Sequence, residues 1–421
     1  MATLAAIALL LISFALPMRA SAGGKEPTCL IILGQPSDIS RDYPVQPAGS
    51  RRTVGFGITL YTLLTPATIL RKQVTDALDQ AEATGYPVLI HADDWNYTPT
   101  EWTDPEMIEW SAFPTPGSRT GPVVRRRWLN WGTWMALGPP PNYESPGFRA
   151  YVLQRLGACV AAPIAERLRR WRREGRAHLF AGLVVGWESG YYTASSVDLK
   201  DRPKAGAELF GDDERVDSGF AALTARGYSA ARLERETAAA GRSRAEQMRA
   251  LMAGVVRDYA AWCCGVARRA GLPRDSIYTH CTPSITRAEM AAGPVDGRLL
   301  PLETAANGAS RVGYTMTAPW HDFPRVTAGI RRMRRSVWGA VEVEFTDENR
   351  SEPAALAYLN RLEEAGARLI CVYGWWERSD HIFGVRGTGA ATAMGRWLAE
   401  ARPTGAGNPT GSTKREGSGI R

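Results

Sequence analysis

Unbroken apolar runs recur along the chain and are separated by stretches with helical spacing of apolar positions. Runs that are apolar throughout, with no alternation, read as strands buried on both faces, the habit of a parallel sheet covered by helices. The pattern predicts strands at residues 54–62, 87–92, 183–185, 277–281, 311–316, 337–345 and 368–373. Helices are predicted at residues 66–84, opened by Thr65-Pro66, and at 146–173, 243–270, 326–335, 352–365 and 387–401. Two of the strands end in acid. The run GLVVGWESGYY at 182–192 delivers Glu188 beside Trp187, and VWGAVEVEF at 337–345 delivers Glu342 and Glu344.

Strands that alternate with helices imply a parallel sheet, and eight of them make a closed (β/α)8 barrel. The eighth strand has two candidates. Counting the aromatic segment WLNWGTW at 128–134 makes it the third strand and puts inserted loops after strands two and four; the other count drops it and starts from the apolar run at 29–33. In both, the strand at 183–185 is the fourth and that at 337–345 the seventh. One barrel is expected to occupy residues 23–402. Ahead of it, an apolar stretch at 4–16 and Ala20-Ser21-Ala22 fit a signal peptide over 1–22, cleaved after Ala22, so a secreted or periplasmic location is expected. Residues 403–421 are rich in Gly, Thr, Ser and charge, which predicts a disordered tail.

Composition narrows the partners. A chain of 421 residues that is 44% hydrophobic can fill one core of barrel size. The net charge of +8 comes from arginines spread over helix faces, as in RLRRWRREGR at 167–176 and RRMRR at 331–335, which argues for solvated faces over a nucleic-acid site. Six scattered cysteines suit buried thiols better than a disulfide framework, and none has zinc-ligand spacing. With no phosphate-binding glycine motif and no serine nucleophile elbow, no cofactor is expected.

In such barrels the site lies at the C-terminal mouth. The strand ends supply Tyr61; His91, Asp93, Asp94 and Trp95; Trp187 and Glu188; Tyr278 and His280; Tyr314; Glu342 and Glu344; and Tyr373, Trp375 and Trp376. Carboxylates among flat amphipathic rings suit a sugar, which has hydrogen-bonding edges and apolar faces. Glycoside hydrolysis needs two carboxylates flanking the scissile bond, and Glu188 with Glu344 is the natural pair. The layout resembles the large clan of retaining glycoside hydrolases on (β/α)8 barrels, whose acid/base glutamate ends strand four and whose nucleophile glutamate ends strand seven. That resemblance implies Glu188 as acid/base, Glu344 as nucleophile and Trp375 or Trp376 as the aromatic floor after strand eight. It departs at Trp187, which stands where many members have Asn.

The remaining strand-end residues get supporting roles. His91, Asp93, Asp94, Trp95, Trp187 and His280 are expected to contact carbohydrate, Tyr314 to steady the nucleophile from strand six, and Glu342 to stand behind it, its pKa raised by Glu344 or settled by an arginine. The two catalytic carboxyl groups should lie about 5 to 5.5 Å apart. Two other readings stay open. A non-catalytic carbohydrate-binding barrel would keep the aromatic cleft, and a metal-dependent amidohydrolase-type barrel would use His91, Asp93 and His280, although strand six ends in Tyr314 where that type needs His. No metal is expected.

Overall fold

A computed structural model of the chain describes residues 27–34, 50–93, 98–125, 127–130, 134–186, 189–191, 218–281, 305–316, 319–377 and 384–400. The expected signal peptide and tail lie outside these residues. Eight parallel strands form the barrel: β1 (Thr28–Leu33), β2 (Arg52–Tyr61), β3 (Val88–Asp93), β4 (Phe180–Val185), β5 (Ile277–Thr279), β6 (Val312–Met316), β7 (Trp338–Val343) and β8 (Ala367–Val372). Neighbours in sequence are neighbours in space, and β1 pairs with β8 with Ile31 opposite Cys371. Between β5 and β6 the ladder continues as the Arg311 N–H donates to the Ile277 carbonyl (2.8 Å) and the Thr315 N–H to the Cys281 carbonyl (2.8 Å). No edge is left open, so the sheet is a closed (β/α)8 barrel.

The first strand is therefore the apolar run at 28–33, and the aromatic segment lies outside the barrel. It forms an antiparallel hairpin, Arg127–Asn130 against Trp134–Leu137. Only three residues separate these strands, too few for the crossover that a parallel barrel strand requires. Val88–Asp93 becomes the third strand, and the first insertion follows strand three where the sequence count had placed it after strand two. The fourth and seventh positions of β4 and β7 stand. The polar stretch after β4 contains two helices that its mixed composition did not announce, Phe220–Ala225 and Ala230–Ala240.

Side chains alternate along each strand and so make two cores. Leu30, Ile32, Val54, Phe56, Val88, Ile90, Leu183 and Val185 face the helices. Ile31, Leu33, Leu89, Val184, Tyr278, Val341, Leu369 and Cys371 fill the lumen. Tyr278 fits there because two facing positions carry no Cβ: one built at Gly339 would sit 2.8 Å from its ring, and one at Gly182 2.9 Å.

The helical run after the first insertion starts at Pro146–Val152, passes through a π-helical stretch, Leu153–Ala161, and ends in Ala162–Arg173. Pro163 has no N–H to give to the fourth residue back and its ring would crowd that carbonyl, so the wider π turn ahead of it accommodates the proline without breaking the helix. At the N-terminal end of the barrel, Arg52 lies over the Trp397 ring (3.9 Å) and bonds Glu363 (2.5 Å), which also accepts from Thr28 (2.9 Å). This cluster ties β1 and β2 to the last two helices and closes the face opposite the mouth.

Candidate active site

The orientation of the acids on β7 depends on one extra residue. From Gly339 and Val341 in the lumen, strict alternation would carry Glu342 and Glu344 outward among the helices. The register breaks instead. Tyr314 and Thr315, adjacent on β6, pair with Ala340 and Glu342, and on the other side Ile370 and Val372 pair with Ala340 and Val343. Val341 is thus a bulge residue against both neighbours, which turns the strand by one position. Beyond it Val343 and Phe345 pack outward in the helix-facing core. Glu342 points inward, its Oε2 3.2 Å from His280 Nε2, and Glu344, buried two residues on, shares that side.

Below the mouth the lumen is crossed by a polar layer. His91 from β3 and His280, just past β5, meet edge to face with ring centroids 5.9 Å apart. Cys371 Sγ of β8 lies 3.5 Å from His91 Nε2. The Thr315 hydroxyl of β6 is hydrogen-bonded to His280 Nε2 and lies 3.5 Å from Glu342 Oε2. Burial, reinforced by His280, holds the His91 imidazole well below its usual pKa, so it is neutral. Burial, with Glu342 adding to it, keeps the Cys371 thiol protonated. All six cysteines are free thiols.

The two insertions are joined beside this mouth by a buried carboxylate. Glu109, in the insertion after β3, accepts from the N–H groups of Gly219 (2.9 Å), Ala221 (2.9 Å) and Ala222 (3.2 Å). Tyr191 bonds the same carboxyl. The Tyr191 hydroxyl in turn accepts from the Tyr143 N–H (3.2 Å), and the Tyr143 hydroxyl accepts from the Gly190 N–H (3.2 Å). Tyr143 stacks on Tyr259 at 4.1 Å and 10°. Burial pushes Glu109 up to about 7 against the pull of those hydrogen bonds. Ser189, Gly190 and Tyr191, the residues just after Glu188, are anchored by this network. On its solvent side Glu144 binds Arg149 (2.8 Å) and Arg226 (2.5 Å), and Arg226 also binds Asp258 (2.8 Å).

Of the residues singled out in the sequence, His91, His280, Glu342 and Glu344 converge at the mouth, with Asp93 one inward position above His91. The end of β3 is fixed there, since the Asp93 carbonyl accepts from the Thr62 N–H at 2.8 Å. Trp376 is 38% exposed and meets Tyr373 edge-on at 5.2 Å, so it, and not the buried Trp375, offers an open ring after β8. Tyr61 at the mouth end of β2 is 41% exposed and offers another. Tyr314 is a correction. Gly313 and Thr315 hold the inward positions of β6, and Tyr314 packs into the helix-facing core, so the hydroxyl that reaches the β7 acids belongs to Thr315. Glu342 meets a histidine in place of the expected arginine. Asp94, Trp95, Trp187 and Glu188 lie outside the described residues. Thr315, Cys371 and Glu109 were not singled out; for Thr315 the parity of β6 was the available signal, while nothing local marks Glu109.

No family model matches the chain, and no curated protein matches it either. Among solved structures it is similar to the catalytic domain of a beta-amylase from Paenibacillus polymyxa, at 8% identity and TM-score 0.48 over 90% of this chain and 99% of that one. It is also similar to a GH26 beta-mannanase from Bacteroides ovatus, at 11% identity and TM-score 0.36 over 90% of each chain. A GH5-4 broad specificity endoglucanase from an uncultured bacterium aligns at 10% identity and TM-score 0.36 over 82% of this chain and 80% of that one. At these scores the likenesses add nothing to the barrel that the strand register establishes.

Proposed function

We propose that this protein is a glycoside hydrolase that cleaves the O-glycosidic bonds of an oligo- or polysaccharide with retention of configuration. The observation that carries the reading is the bulge at Val341, which brings Glu344 round to the lumen side at the mouth of a closed barrel. Glu188 follows β4 toward the same end of the barrel and is the proposed acid/base. In the first step Glu188 protonates the leaving oxygen while the Glu344 carboxylate attacks the anomeric carbon; in the second Glu188 takes a proton from water, which releases the sugar from Glu344. Asp93 and the exposed rings of Trp376 and Tyr61 are the described groups best placed to hold sugar, and Asp94, Trp95 and Trp187 are proposed to join them. His91 and His280 border the site from below.

The test is a screen of the purified protein on plant, fungal and bacterial glycans, with Glu344→Gln as control. Turnover is expected on at least one glycan, with the product's anomeric configuration retained by proton NMR, and the variant should fall by at least about a thousandfold. Binding without turnover, unchanged in the variant, would instead identify a carbohydrate-binding barrel. A crystal structure in which the Glu188 and Glu344 carboxyl groups are more than about 9 Å apart would sink the retaining pair.

A further inference from the structure

The mouth holds more ionisable groups than a two-carboxylate reaction uses, and their arrangement divides them. His91 and His280 are both buried, with ring centroids 5.9 Å apart. Two imidazolium charges at that distance in a site shielded from water repel by about 3 kcal/mol even at an effective dielectric constant of about 20. At most one of them is charged, and their neighbours decide which. His91 faces the Cys371 thiol; His280 faces the Glu342 carboxylate at 3.2 Å.

The proton on His280 is located by the same contacts. If Nε2 carried a lone pair, that lone pair would face the carboxylate oxygen directly. With Nε2 protonated, the ring donates toward Glu342 and Thr315, and the Thr315 hydroxyl passes its own hydrogen on to Glu342 Oε2 (3.5 Å). Thr315 therefore accepts from one partner and donates to the other, which suits its hydroxyl.

We infer that His280 and Glu342 form a buried imidazolium–carboxylate pair completed by Thr315, which makes Glu342 a positioning residue and leaves Glu344 as the carboxylate of β7 that reacts. The last clause rests on the glycosidase reading; the pair itself does not. The ionisable groups around His280 are His91 and, above it, Asp93 on β3, Glu342 and Glu344 on β7, Cys371 on β8 beyond Glu342, and Tyr278 one inward position below on β5. His91 and Cys371 stay neutral for the reasons given above. A pair of zero net charge beneath Glu344 lets Glu344 ionise without a like charge two residues away, which removes the repulsion that the sequence alone implied.

The chain has five histidines, so His→Gln variants can assign each ring in side-chain nitrogen–proton NMR spectra. His280 is expected to show both ring nitrogens protonated up to about pH 8, well above an ordinary histidine, and His91 to stay neutral down to about pH 5. In Glu342→Gln the His280 signals should become those of a neutral ring at pH 7. Thr315→Val, a change of similar volume, should shift the His280 signals while the chain stays folded. A His280 that titrates near 6.5 in the wild type, or whose spectrum is indifferent to both substitutions, would overturn the pair. On a glycan that the wild type cleaves, Glu342→Gln should lower kcat by about 10- to 100-fold with KM within about twofold, and Glu342→Asp should recover part of it. Glu342→Gln proving more damaging than Glu344→Gln would overturn the division of roles. Failure to cleave any glycan would count against the glycosidase reading alone, since the spectra decide the pair.

Discussion

At the residue scale the barrel mouth illustrates how burial and partners assign protonation. His91 is neutral because its nearest groups are a thiol and a second histidine, while the carboxylate stands against His280. Glu109 shows a different balance, in which desolvation outweighs a phenol and three backbone amides to push its pKa up to about 7. The folded value lies above the unfolded carboxylate range, so the native state binds the extra proton between about pH 4.5 and 7, and stability falls as pH rises through that window. At most about 3 kcal/mol is involved. Glu109→Gln removes the titration, so the stability advantage of the wild type over this variant should be largest near pH 5 and shrink by up to about 3 kcal/mol by pH 8. Urea unfolding of both proteins across that range measures it, and a gap independent of pH would contradict the assignment.

At the scale of elements, one inserted residue decides which way two carboxylates point. Deleting Val341 restores strict pairing of β7 with β6 and β8 and directs Glu342 and Glu344 toward the apolar helix layer. Turnover should disappear in that deletion, whether or not the protein remains folded. Val341→Ala keeps the extra residue and should cost only the lost packing, about 1 to 3 kcal/mol, with kcat close to wild type. A deletion variant that retained wild-type turnover would show that the bulge does not aim the acids. The helices were largely legible because caps and prolines mark their ends: Ser243 with Glu246 forms a capping box ahead of Arg244–Ala270. The hairpin at 127–137 was not, since an aromatic run of that length is compatible with a barrel strand until its partner is known.

At the scale of the whole molecule, the barrel has a reactive end and a sealed end. The seal rests on Arg52, whose guanidinium lies over Trp397 and bonds Glu363 while Glu363 also accepts from Thr28. Arg52 is mostly buried, so Arg52→Ala leaves a carboxylate poorly compensated and should cost about 2 to 4 kcal/mol. The urea midpoint should fall with an unchanged m-value, because the same surface is exposed on unfolding. Glycan cleavage at temperatures where the variant is folded should be unaffected, since the seal lies at the end of the barrel opposite Glu344; a loss of kcat there would indicate coupling between the two ends.

The sequence by itself determined the βα alternation, the ordinal places of β4 and β7, and the gathering of acids and aromatics at strand ends. Each of these is a local property, carried by runs of apolar residues and the polar residues that stop them. The tertiary structure decided which run closed the barrel, since closure depends on pairing between strands more than 300 residues apart, as in Ile31 with Cys371. It also decided which side chains face inward on β6 and β7. The parity of a strand is a relation to its neighbours, and a bulge is visible only against the strands it fails to match; that is why Thr315, and not Tyr314, meets Glu342.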